Sequence, residues 1–151
     1  KAKDNVTDID INNIVNKVVE LFENSTIGKN VSFSLNLNEL PVIKADPHQI
    51  HQAIVNVILN SIQSIEGQGK ITISTDTSDK NIRLSIKDTG KGISEEMAKK
   101  LTEPFVSIGK KEGTGLGLTI ASKVIKNHNG RMEIKGKQGT GTEVIIYLPF
   151  R

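Results

Sequence analysis

Cysteine is absent from the 151-residue sequence. That excludes a disulfide framework, a thiolate zinc site and a cysteine nucleophile together, and it fits a reducing compartment. Tryptophan is absent too, and one Tyr and four Phe are the only aromatics, which leaves little to stack on bases. Of the 20 basic residues only Arg83, Arg131 and Arg151 are arginines, so the forked side chains that read base edges are scarce. The net charge is a modest +3, and no nucleic-acid partner is expected. No run of 18 apolar residues occurs, so no membrane contact is expected. No signal peptide is visible, because Lys1 to Asn5 are polar. The first residue is Lys rather than Met, which reads as a piece of a longer chain.

What is present is a 36% apolar fraction, mostly Ile, Val and Leu. That suits one mixed helix-and-sheet domain, and a chain of this length buries roughly 70% of its unfolded surface. Ile11, Ile14, Val15, Val18, Val19 and Phe22 recur at helical spacing, predicting a helix over 10–24 capped by Asp8 or Asp10. Val31, Phe33, Leu35 and Leu37 alternate with polar residues, as a half-buried strand does. Val42-Ile43 reads as a short extended stub. Asp46-Pro47 then opens the strongest helix, which runs to about Ile65. Strands are predicted over 70–75 and 82–88, joined by a turn at Asp79-Lys80-Asn81. A short helix follows over 94–101, then a helix over 116–127 that stops at Asn129-Gly130. The last strands fall over 131–135 and 143–148. This order predicts an α/β sandwich (α+β): a mixed sheet of about five strands with three main helices on one face.

Four segments hold the residues that could carry chemistry. Asn56 and Asn60 lie one turn apart on a helix face, where an amide oxygen can serve as a Mg²⁺ ligand beside phosphates; two solvated Asn would give the same pattern. Asp88-Thr89-Gly90-Lys91-Gly92 puts a carboxylate at a strand end before bare backbone, either a ligand edge or a tight turn. Asp-Thr-Gly is also the aspartic-protease triplet. That site would need a homodimer to supply two carboxylates, and Lys91 puts a charge beside the dyad. Gly113-Thr114-Gly115-Leu116-Gly117-Leu118 runs into a helix, and bare N–H groups there can hold an anion. It is neither Gly-x-Gly-x-x-Gly nor a P-loop, and a flexible loop is an equal reading. Gly139-Thr140-Gly141-Thr142 precedes the last strand and on its own reads equally as a hairpin loop.

In this order the segments resemble the Bergerat-type ATP-binding fold of sensor histidine kinases, gyrase B, MutL and the heat-shock chaperone ATPases. They are most similar to the catalytic ATP-binding domain of sensor histidine kinases. Asn56-x-x-x-Asn60-Ser61 resembles the asparagine box, and Asp88 to Ile93 the first glycine box. Glu103-Pro104-Phe105 resembles the phenylalanine box, Gly113 to Leu118 the second glycine box, and Gly139 to Thr142 the last one. The resemblance implies that Asn60 holds Mg²⁺ and that Asn56 and Gln63 face the phosphates. Asp88 would accept from the exocyclic amine of adenine, with Thr142 supporting it. Gly90, Gly92 and Ile93 would line the base. Lys110 and Lys111 would reach the phosphates, Gly113, Thr114, Gly115, Leu116, Gly117 and Leu118 would wrap them, and Ile93 to Glu112 would form a mobile lid. An amide at Asn56 cannot take a proton, unlike the Glu found there in gyrase B and MutL, so phosphate is kept for an acceptor other than water.

There are departures. Gln63 and Ser64 stand where many of these kinases carry Lys and an aromatic, so a phosphate cation is missing or comes from Lys110 or Lys111. Val106 replaces a second aromatic of the phenylalanine box. His48, His51 and His128 lack the acidic context of a phosphoacceptor and read as surface residues. The resemblance therefore implies an ATP-dependent protein-histidine kinase domain over 10–151, with residues 1–9 a linker or the tail of an upstream dimerising helical hairpin, the hairpin carrying the acceptor His. Its partners would be that hairpin and a response regulator, its cofactors ATP and Mg²⁺. Its location would be cytoplasmic, alone or as part of a membrane-bound sensor, and the isolated domain is expected to be monomeric. An anti-sigma-type serine kinase or a non-catalytic nucleotide-binding module of the same fold are the alternatives.

Overall fold

The computed structural model describes residues 5–90, 116–137 and 139–150. The chain opens with β1 (Thr7–Ile9) and α1 (Ile11–Glu23). Asp10 is the N-cap of α1, its carboxylate accepting from the Asn12 amide at 3.0 Å. A 3-10 turn at Thr26–Gly28 leads into β2 (Val31–Leu37) and β3 (Ile43–Ala45). Next comes α2 (Pro47–Ser64), whose cap Asp46 accepts from His48 N at 3.0 Å and Gln49 N at 3.4 Å. Strands β4 (Gly69–Ser78) and β5 (Asn81–Asp88) form a hairpin. Asp79 and Lys80 form its two-residue turn with φ of 51° and 68°, the left-handed pair that matches strand twist. Then α3 (Leu116–Asn127), β6 (Arg131–Lys137) and β7 (Gly141–Pro149) complete the described chain. Asn129 ends α3 in the left-handed region at φ 66°, and the Gly130 N–H closes back on the Ile125 carbonyl.

Five strands form a mixed sheet in the order β2-β4-β5-β7-β6. β2 and β4 are parallel and the other neighbours antiparallel. A parallel pair needs a long crossover, and β3 with α2 provides it. Strand period two sends Ile71 and Ile73, Ile82, Leu84 and Ile86, and Val144, Ile146 and Leu148 to one face, all buried. That face packs on Ile11, Val15 and Val18 of α1, Ile50, Ile54 and Ile58 of α2, and Leu118, Ala121 and Ile125 of α3. The opposite face is polar, with Asp76 bridging Arg83 through two bonds and Arg131 stacked over Tyr147.

The predicted sandwich, five-stranded sheet and three helices are all present. The last two strands run a little past the predicted bounds, and two further differences bear on the packing. Thr7–Ile9, which the sequence placed in a leading tail, pair antiparallel with Ile43–Ala45 and seat Ile9 in the core. β4 extends to Ser78 rather than 75, because the hairpin register keeps Asp76, Thr77 and Ser78 paired with Arg83, Ile82 and Asn81. The helix expected over 94–101 lies outside the described residues.

Candidate functional site

Asp88 is the last residue of β5 and follows Ile82, Leu84 and Ile86 on the inner face. A carboxylate therefore occupies the place of the next core side chain, and it is only 2% exposed. Its Oδ1 accepts from the Gly90 N–H at 2.8 Å and from the Ser64 hydroxyl at 3.3 Å. Burial pushes the carboxyl above its ordinary value of 3.8; bonds from Gly90, Ser61, Ser64 and Thr142 pull it part of the way back. Thr142, also buried, is the register partner of Asp88 across β5 and β7. Gly141 runs at φ +112°, and a Cβ there would collide with the Asp88 carbonyl oxygen. Gly90 is equally constrained, since a Cβ would fall on the Ser64 hydroxyl and carbonyl. A dry acceptor of this kind is matched to a ligand that brings N–H donors.

α2 supplies the second part of the site. Ser61 is buried against the sheet, while Asn56 and Asn60 lie on the flank of the helix and are partly exposed. The amide oxygen of Asn60 is buried and has no hydrogen-bond partner among the described residues. An orphaned buried oxygen costs free energy and is the donor type that a hard cation takes, so Asn60 fits a Mg²⁺ ligand. Gln63 continues the Asn56–Asn60 row and is exposed. α3 begins beside this row: a Cβ on Gly117 would lie 3.8 Å from the Asn56 carbonyl oxygen, in ordinary contact. The first turn of α3, the end of a helix that favours an anion, thus stands next to Asn56, and Leu118 is buried beneath it.

The structure sets Asn56, Asn60 and Gly117 along the second half of α2 and Asp88, Gly90 and Thr142 at its end. Gly92, Ile93, Lys110, Lys111, Gly113, Thr114 and Gly115, with the expected lid and phenylalanine box, lie outside the described residues, as does the side chain of Leu116. Ser61 and Ser64 complete the surroundings of Asp88, although in the sequence Ser61 only closes the asparagine box and Ser64 is a departure from the usual motif. His128 is no idle surface residue. Its Nδ1 lies 2.9 Å from the Val124 carbonyl oxygen and its Nε2 accepts from the Asp46 N–H at 3.2 Å.

Comparison with known proteins bears on this arrangement. The profile of the histidine kinase-, DNA gyrase B-, and HSP90-like ATPase family matches residues 45–151. Over 142 residues, 93% of the chain, it is 30% identical to the sensor histidine kinase ZraS of Escherichia coli K12. Over 143 residues it is 33% identical to sporulation kinase C of Bacillus subtilis. The chain spans about a third of the length of these curated relatives, 30% and 33% respectively. Among solved structures, the nucleotide-free catalytic domain of histidine kinase ThkA superposes with a TM-score of 0.82 at 30% identity, covering 95% of both chains. The same kinase in complex with the response regulator TrrA gives 0.79 at 27% identity, over 97% of this chain and 42% of that one.

Proposed function

The chain belongs to the histidine kinase-, DNA gyrase B-, and HSP90-like ATPase family, as an ATP-binding domain of kinase type, and from that premise we propose that it delivers the γ-phosphoryl group of Mg-ATP to a histidine of another domain. The observation that carries the reading is the pairing of two unlike groups at one helix end. A buried Asp88 carboxylate waits for an amine, and an orphaned Asn60 oxygen waits for a cation. The relatives' names, and the ThkA complex with a response regulator, support a two-component phosphotransfer role.

The division of labour follows from the residues. Asp88 orients adenine by accepting from its exocyclic amine, with Thr142 and Gly90 shaping that end. Asn60 holds Mg²⁺, which neutralises charge on the phosphates when bound. Asn56 and the first turn of α3 face the phosphates, and Lys110 or Lys111 supplies the cation that Gln63 does not. Asn56 cannot deprotonate water, so hydrolysis is slow and the phosphoryl group is retained for a side chain brought in line. The unprotonated ring nitrogen of the histidine attacks the γ-phosphorus as the bond to the ADP oxygen breaks; ADP leaves with the bonding pair, and the other ring nitrogen gives up its proton to solvent. Positioning of this kind is worth about 7–11 kcal/mol in well-oriented reactions. The acceptor lies on a dimerising hairpin encoded upstream, and the domain works in the cytoplasm.

The test is labelling with γ-³²P-ATP. The chain alone should bind ATP and acquire no label. The hairpin added in trans should acquire an acid-labile, base-stable phosphoramidate, weakly because tethering is lost. Label on His48, His51 or His128, or stable phosphoserine on a partner, would refute the reading.

A further inference from the structure

Ser64 ends α2 and places one hydroxyl proton within reach of two acceptors. The Ser61 carbonyl lies 3.1 Å from Oγ and Asp88 Oδ1 lies 3.3 Å away. One proton serves one of them at a time. An ionised carboxylate is the stronger acceptor, so with Asp88 charged the proton turns to it. Oδ1 also takes the Gly90 N–H at 2.8 Å, two residues on in the same turn. The two donors approach from different elements, α2 and the end of β5, and both fall on the same oxygen. Gly90 has no Cβ to spare here, because one would occupy the place of Ser64 Oγ. The close approach of Gly90 to the helix end is therefore built around this hydroxyl.

We propose that Ser64 is a positioning residue of the nucleotide site, whose hydroxyl, with the Gly90 amide, locks the torsion of the Asp88 carboxylate so that adenine's exocyclic amine meets a single, preset acceptor. This rests on the reading of Asp88 as the adenine contact. Ser64 acts through Asp88 and belongs to the helix that carries Asn56 and Asn60, so it ties the base end of the site to the phosphate end. Without the hydroxyl the carboxylate keeps its bonds from Gly90, Ser61 and Thr142 but loses the donor that α2's last residue brings to Oδ1, and its torsion is less closely fixed. The amine then loses a fixed partner, while contacts to ribose and phosphates are untouched.

The experiment is calorimetric titration of the 151-residue chain, with Mg²⁺, against ATP and against purine riboside 5′-triphosphate, which lacks the amine. The affinity ratio isolates the amine contact. Ser64→Ala should weaken ATP roughly three- to tenfold, the scale of one hydrogen bond, and leave the analogue nearly unchanged, so the ratio narrows. In an Asp88→Asn background the same change should narrow it no further. A merely structural role for Ser64 would weaken both nucleotides alike, and that result overturns the proposal. If Asp88→Asn narrows the ratio and Ser64→Ala does not, Ser64 alone is misassigned. If Asp88→Asn leaves the ratio at the wild-type value, the adenine reading of Asp88 falls and Ser64 with it. Should Ser64→Ala fail to fold, Ser64→Cys keeps the shape with a weaker donor and is read the same way, with a smaller expected change.

Discussion

The backbone N–H of Asp46 donates to Nε2 of His128 across 82 positions of sequence, at 3.2 Å. The other ring nitrogen faces the Val124 carbonyl at 2.9 Å, which can only accept. Nδ1 therefore carries the proton and Nε2 offers its lone pair, so both partners agree on one neutral tautomer. The bond fastens the end of α3 to the start of α2. His128→Ala leaves a buried residue's N–H without its partner, and about 1–3 kcal/mol of stability should be lost. Urea unfolding with an unchanged slope is the measurement. A loss under about 0.5 kcal/mol, the scale of ordinary surface changes, would mean that water replaces the ring.

Asp46 serves the same helix in a second way. Its side chain, 3% exposed, caps α2 through His48 N and Gln49 N. Asp46→Ala should cost about 0.5–2 kcal/mol, and Asp46→Asn much less, because Asn caps as well. Equal losses for the two would show that charge rather than capping is at stake.

Asn60→Ala removes the orphaned oxygen and keeps a good helix former. The melting temperature should hold or rise. ATP affinity in Mg²⁺ should fall about tenfold or more, which is about 1.4 kcal/mol or more, and affinity in EDTA should change little. An equal fall in both media would place the metal ligand elsewhere.

The Asp88 carboxyl is raised above its unfolded value, first by burial. The native state therefore holds a proton more tightly than the unfolded chain. The stability this contributes is complete below the unfolded value near 3.8 and is lost as pH rises through the higher native value. At any pH above that native value the ligand-free chain carries a buried charge at a cost. Asp88→Asn should unfold at higher urea than wild type at pH 7, and that advantage should shrink on acidification through the window above 3.8. The same variant should bind ATP more weakly and narrow the preference for ATP over GTP, since a carboxylate facing guanine's carbonyl sets acceptor against acceptor. Wild-type affinity for GTP equal to that for ATP would dismiss Asp88 as the base reader.

Gly141→Ala meets two obstacles, a φ of +112° and the Asp88 carbonyl oxygen. The strain alone is worth about 1–3 kcal/mol. Because the displaced group is the backbone of Asp88, ATP affinity should fall as well. Gly139→Ala, also at positive φ (+89°) but in open space, should lose stability alone. Matching effects on nucleotide binding would remove Gly141 from the site's construction.

Much of this was legible because local chemistry marks it. Asp10, Asp46-Pro47 and Asn129-Gly130 set helix ends by hydrogen bonds a few residues long. Asp88 falls on the core side because period two carries it there from Ile82, Leu84 and Ile86. The protease alternative for Asp88-Thr89-Gly90 lapses with family membership. What escaped depends on partners distant in sequence. β1 has a single buried position, Ile9, too short for any period. Ser64 and His128 look like ordinary polar residues until Asp88, 24 positions away, and Asp46, 82 away, are packed against them. The orphaned oxygen of Asn60 is a property of its surroundings, and no spacing rule announces it.

Asp88 and Thr142 stand opposite each other in the register of β5 and β7. That pairing joins positions 54 residues apart, and β7 is the last described strand in chain order. During synthesis the chain from Thr7 to Asp88 can assemble its hairpin and first two helices while Asp88 still lacks Thr142 opposite it. Non-local pairing of this kind closes late, after the loop entropy has been overcome. A ligand that contacts both Asp88 and Thr142 would find them together only after β7 has docked, and by binding that state it would favour the closed sheet over its partly assembled precursors.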